Sequence, residues 1–286
     1  MTTASSASVQ QPSPPRPVDQ NLVVLAILAL AATAWAVLLL THGDGGHSTT
    51  GHAETELPAA TESHPHHGGS AVTDVAPPAF LVDAGLAVGA WTVMVVAMML
   101  PPALPLLQTV RRLVSRRPDP WRLTTLSAMT FVGAWAVVGA VVVLGDLGLR
   151  ALVATAWSGS DLRWASGAVL IAAGVYQFTP LKDLCLRGCR SPRSFVLAHW
   201  QGRHSPGAET VALSGAYALS CIGCCWALML VCFAVGTAAL PVMVALTVVM
   251  AAERLVPWGR RLVRPAGLLL ILLGTVMILS TSSLIV

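Results

Sequence analysis

The chain has 286 residues, of which 55% are hydrophobic and 10% charged, with a formal net charge of +4 and a mean hydropathy of +0.71. Soluble domains carry about 25% charged residues, so this chain cannot clothe a core in polar groups and needs a lipid bilayer as solvent. Its few basic residues form no stripe interleaved with aromatics, which argues against nucleic acid as a partner, and none of its six cysteines falls in the long polar segment near the N-terminus, which argues against a secreted disulfide framework.

Residues 1–20 are rich in Ser, Pro and Gln and lack apolar periodicity, so they read as a disordered cytoplasmic tail. Leu22 to Leu40 is an uncharged apolar run long enough to span a bilayer. Arg16 is its only basic forerunner, and the run is long for a signal peptide, so residues 21–40 read as a retained anchor. Residues 41–78 contain His42, His47, His52, His64, His66 and His67, five acidic residues and no Lys or Arg. Gly, Ser, Thr and Pro fill the remainder, which predicts a disordered His-rich external loop. Residues 79–286 form a six-span membrane domain, with apolar runs at about Phe80 to Leu107, Leu123 to Leu149, Leu162 to Thr179, Thr210 to Val235, Ala238 to Ala252 and Ala266 to Leu284. The expected fold is therefore all-α, a polytopic transmembrane bundle of about seven spans.

Fourteen of the seventeen Lys and Arg residues fall in three short loops, Arg111 to Arg122, Lys182 to Arg203 and Arg254 to Arg264. Under the positive-inside rule these loops are cytoplasmic. The N-terminus is then cytoplasmic, and the His-rich loop and C-terminus are external.

Sulfur dominates the candidate chemistry. Cys221, Cys224, Cys225, Met229 and Cys232 lie within twelve residues of the fifth span. On a helix, Cys221, Cys225, Met229 and Cys232 share about an 80° arc, with Cys224 just beside it. Thiolate and thioether ligands suit Cu(I) and other soft metals. The second span adds Met94, Met98 and Met99 directly before Pro101 and Pro102, with Pro105 following. These prolines break or kink the helix end, and broken helices at membrane depth often line a site. Cys185 and Cys189 sit one turn apart at the cytoplasmic edge, where Lys182, Arg187 and Arg190 would favour thiolate. His64, His66 and His67 offer external imidazoles for loose metal capture. Glu253, beside Arg254, reads as an interfacial charge paired locally. No phosphate-binding loop and no nucleophile elbow is present, and no catalytic residue can be assigned.

Three motifs occur in order: Trp91-x2-Met94-x3-Met98-Met99-x-Pro101, then Tyr176-Gln177 through Cys185-Leu186-x2-Cys189-Arg190-x-Pro192, then Gly223-Cys224-Cys225-Trp226-x2-Met229. Over about Phe80 to Leu284 the chain resembles a bacterial family of metal-binding integral membrane proteins of otherwise undefined function, some of whose members are labelled copper chaperones. The resemblance implies the bacterial inner membrane and a metal, copper above others, at Met94, Met98, Met99, Cys221, Cys224, Cys225 and Met229. It implies no reaction. Relatives carry Met-Asn and Glu-Lys pairs in the sixth span, where this chain has Met243-Val244 and Glu253-Arg254.

The leading expectation is a membrane protein that binds and hands over Cu(I), or zinc or another soft metal, with a partner metalloprotein as donor or acceptor. Two further readings stay open: a membrane thiol–disulfide oxidoreductase, and a non-catalytic accessory subunit of a membrane complex.

Overall fold

A computed structural model describes residues 17–43, 77–153, 159–235 and 240–282. All regular structure among them is helical. The helices are α1 (Pro17–Gly43), α2 (Pro77–Met99), α3 (Leu104–Val114), α4 (Pro120–Val153), α5 (Gly159–Tyr176), α6 (Pro180–Arg190), α7 (Pro192–His199), α8 (Pro206–Val235), α9 (Leu240–Leu255) and α10 (Arg260–Ser282).

Five of them are long and apolar enough to cross a membrane: α1, α2, α4, α8 and α10. α5 qualifies only together with α6, from which it is bent by 67°. α9 has 16 residues, about 24 Å of helix, short of the roughly 30 Å hydrocarbon core. The seven apolar runs thus fall on α1, α2 with the start of α3, α4, α5, α8, α9 and α10, and five of these helices carry the length and composition of a span on their own.

Proline sets both breaks. The expected second span, Phe80 to Leu107, stops at Met99, where a 3-10 turn over Pro101–Ala103 intervenes. A proline ring supplies no N–H and clashes with the preceding turn, so a straight helix cannot continue. Beyond the turn α3 is amphipathic, burying Leu106, Leu107, Val110 and Val114, while Arg112 donates to Gln20 of α1 at 2.9 Å. Pro180 likewise disfavours helical backbone at Thr179. Thr179 becomes the N-cap of α6 and accepts from the Lys182 amide at 3.3 Å, which satisfies one of the otherwise orphaned first-turn donors.

α8 is central, packing on α4, α5 and α6, while α1 and α2 pack together beside α4. Buried Val23, Ile27, Ala34 and Leu38 place α1 in the same continuous core as α2 and α8. The closest helix pair is α5 with α10. Gly167 faces Gly274, and Gly174 faces Gly267: a Cβ on Gly174 would lie 2.7 Å from the Gly267 carbonyl, and one on Gly274 would lie 2.7 Å from the Gly167 carbonyl. Small residues seven apart on each helix let the two backbones touch, a main source of helix association in lipid. Gly174→Leu forces the pair apart. It should cost about 1–3 kcal/mol of overpacking, and we expect a lower thermal midpoint when unfolding is followed by thiol-reactive dye in detergent.

Candidate functional site

α8 presents a seven-residue stripe to the bundle. Thr210, Ser214, Tyr217, Cys221, Cys224, Leu228 and Val231 alternate in steps of four and three and are all buried. That repeat keeps one face against its neighbours over the whole helix, so the cysteines point inward because of where they fall in it. Ser127 of α4 meets Ser214 at 2.7 Å between hydroxyls.

α6 is built to meet this stripe. Lys182, Leu186 and Cys189, spaced four and three apart, form its buried face. Cys189 Sγ lies 3.6 Å from Cys224 Sγ. Cys224 Sγ in turn lies 3.3 Å from Cys225 Sγ and donates to the Cys221 carbonyl at 3.2 Å. Cys221, fully buried beside them, offers its carbonyl to Cys224. Four thiols from two helices therefore form one buried cluster. Cys185, one turn earlier on α6, is half-buried against Gly223, where an added Cβ would stand 2.5 Å from its sulfur. Only glycine lets α6 approach this closely. All six cysteines are free thiols.

A guanidinium completes the cluster. Arg254, at the end of α9, is buried. Its Nη1 donates to Cys221 Sγ at 3.2 Å and its Nη2 to the Tyr217 hydroxyl at 3.3 Å. The Tyr217 hydroxyl in turn donates to the Cys189 carbonyl at 3.0 Å. Tyr217, Cys221 and Cys225 stand one turn apart on α8, so the arginine, the tyrosine and the thiols belong to one constellation.

The basic residues of α6 do not serve the thiols as the sequence suggests. Lys182 forms a buried ion pair with Glu253 at 2.7 Å, both side chains 1% exposed. Arg187 binds Asp183, and Arg190 donates to the carbonyls of Glu253 and Pro257. Glu253 is accordingly not an interfacial charge paired with Arg254. It faces α6, 71 residues away in sequence, and Arg254 turns the other way, into the sulfurs. Lys182→Met strands the carboxylate in a low-dielectric interior and should destabilise the fold by about 3–5 kcal/mol. The double variant Lys182→Met/Glu253→Leu should recover most of that loss, which paired thermal melts will read.

Met229 is buried on α8, one turn beyond Cys225, and Met94, Met98 and Met99 are buried on α2 in the same continuous core. α2 packs against α1 and α4. His64, His66 and His67 lie outside the described residues. No group of three or more His, Cys, Asp or Glu among the described residues is arranged as a ready metal cage. Cys224 Sγ touches the sulfurs of both Cys189 and Cys225.

Residues 88–277 match the PpoB2 family, described as copper chaperone. The chain belongs to this copper chaperone family. The match spans α2 to α10 and takes in Cys185, Cys189, the α8 cysteines and the α2 methionines. It is consistent with the resemblance carried by the three sulfur motifs. No curated protein and no solved structure matches the chain. Membership of the copper chaperone family establishes copper handling at the level of the family, and apolar helices of membrane-crossing length accompany it.

Tyr217 and Arg254 were the residues that spacing could have revealed. Tyr217 precedes Cys221 by four, and Arg254 follows Met250 by four, each continuing a buried face. A charge that continues an apolar stripe inside a membrane protein signals function.

Proposed function

We propose that Cu(I) is the cargo of this chain and that Cys189, Cys221, Cys224 and Cys225 hold it. The observation that carries this reading is the inter-helix contact of Cys189 with Cys224 inside a cluster of four buried thiols that also receives a guanidinium. Thiolates are preferred ligands of Cu(I), and they bind it deprotonated, so loading releases protons. A Cu(I) bis-thiolate carries net negative charge, which is costly in an apolar interior unless compensated. Arg254 supplies the compensation at the sulfurs themselves. The cluster offers more sulfurs than one Cu(I) ion engages at once, so cargo can pass from one thiolate to the next without leaving sulfur.

The remaining sequence candidates take positions along a route. His64, His66 and His67 capture metal outside. Met94, Met98, Met99 and Met229 offer buried thioethers. Cys185, next to the cluster and half-exposed, is the thiol from which a partner metalloprotein collects the ion. The surrounding frame is seven helices in a bacterial inner membrane, N-terminus cytoplasmic and C-terminus external. The cluster then lies towards the cytoplasmic side, where the basic ends of α6 and α9 converge.

The test is copper content of reduced, detergent-purified protein with residues 44–76 deleted. About one Cu(I) per chain, held against a competing chelator, supports the reading; folded protein that binds none refutes it. The sulfur spacings of 3.3 and 3.6 Å favour one second reading, thiol–disulfide exchange. Its signature is a Cys189–Cys224 or Cys224–Cys225 disulfide that appears and disappears with redox conditions in cells. Free thiols under both conditions dismiss it.

A further inference from the structure

The α5–α6 hinge and the first turns of α10 enclose a cleft of about 810 Å³ that the thiol cluster does not use. Gln177 and Lys182 line it from the hinge side, and Arg260, Arg261 and Arg264 line it from α10. Its charges do not cancel. Lys182 is neutralised by Glu253. Asp183, the one acid in the wall, is held by Arg187 and by Arg260, the latter at 2.6 Å. Arg261 and Arg264 form no ion pair among the described residues. Two guanidinium groups are left without an anion.

Gln177 supplies a second and independent observation. Its side chain is 3% exposed, and neither its amide nitrogen nor its amide oxygen has a hydrogen-bond partner among the described residues. Buried amides are almost always satisfied, and leaving one unpaired costs free energy. A buried, unpartnered amide in the wall of a cleft, with two guanidiniums that have no ion pair among the described residues, fits an oxyanion. Planar guanidinium forks match phosphate oxygens two at a time.

The rest of the wall says where the phosphate comes from. Phe178, Leu186 and Val263 make the other side apolar. Phe178 in the wall is exposed, as are Leu181 and Leu184 on the adjoining turns of α6 and Trp258 in the turn before α10. Exposed apolar and aromatic side chains beside a basic cluster mark the level of lipid headgroups. We infer that this cleft binds a phosphate-bearing anion, supplied by the headgroup of an anionic phospholipid. The inference does not depend on the cargo, because no cysteine lines the cleft.

The experiment is native mass spectrometry of the full-length protein in detergent, delipidated and then offered phosphatidylglycerol or phosphatidylcholine. Phosphatidylglycerol should be retained in preference, and Arg261→Gln/Arg264→Gln should weaken it about 10–30-fold. Gln177→Leu removes the amide while keeping the apolar packing, so it reads the same site if the double variant fails to fold. Inorganic phosphate is added in competition. Failure of millimolar phosphate to displace the lipid assigns the site to a headgroup, and displacement with binding of phosphate itself assigns it to the free ion and overturns the lipid source. Equal retention of both lipids, or phosphatidylglycerol binding unchanged in all variants, overturns the site.

Discussion

Replacing Cys221, Cys224 and Cys225 together by serine should abolish Cu(I) binding. The exchange keeps three side chains nearly isosteric, so the packing of α8 is little disturbed, while every soft donor on that helix near Arg254 becomes a hard hydroxyl that Cu(I) does not favour. Cys189 is then the last of the four cluster thiols, and with the half-buried Cys185 against Gly223 as the other thiol on α6 it should not hold the ion against a chelator. With the histidine segment deleted, copper per chain should fall from about one to near zero, measured by atomic absorption after desalting. Cys189→Ser alone should leave a weaker site, because the α8 thiols stay together but lose their partner across the helix interface. Copper retained in full by the triple variant would return the cysteines to a packing role.

Arg254→Gln should lower Cu(I) affinity about 10–100-fold, the usual loss when a group supporting a metal ligand is removed. The physical cause is charge. The thiols come from α6 and α8 and Arg254 from α9, and among the described residues it is this guanidinium that donates to a cluster sulfur, ready to serve an anionic copper–thiolate complex as counter-ion. In the metal-free protein the same arginine is a buried cation that donates to Cys221 Sγ and the Tyr217 hydroxyl, with its Nε unpartnered among the described residues. Removing it gives up those two hydrogen bonds together with the cost of burying a cation, so the thermal midpoint of the metal-free protein should change little. A structural role would move stability and affinity together; a charge-compensating role separates them. Arg254→Lys should restore part of the affinity, since it returns the charge without the fork that also binds Tyr217.

How far sequence alone reached depended on the range of the forces involved. The all-helical class was legible because apolar length is a local property, and so was the break after Met99, because a proline acts on its own turn. The shared face of Cys221, Cys225, Met229 and Cys232, with Cys224 just beside it, followed from helical period alone, and all five side chains are buried. Cys189 was legible as a thiol at the right edge of α6, yet not as a neighbour of Cys224, because that contact depends on Gly223 admitting α6 against α8. Glu253 was misread for the same kind of reason. Sequence proximity favours Arg254, but the backbone turns the two side chains to opposite sides and gives the carboxylate to Lys182. The Gly167–Gly274 and Gly174–Gly267 contacts are legible only once both helices are known to be antiparallel neighbours. α9 looked like a span by hydropathy, and its 16 residues are too few to make it one unaided.

The central claim is that α6 and α8 together form a sulfur site for Cu(I), and X-ray absorption at the copper edge tests it most directly. In the full-length protein loaded with Cu(I) under reducing conditions, the account predicts a first shell of sulfur only, with fewer sulfurs in Cys189→Ser and no bound copper in the triple α8 variant once residues 44–76 are removed. A first shell of nitrogen or oxygen that survives the cysteine substitutions would contradict it and place the metal outside the bundle.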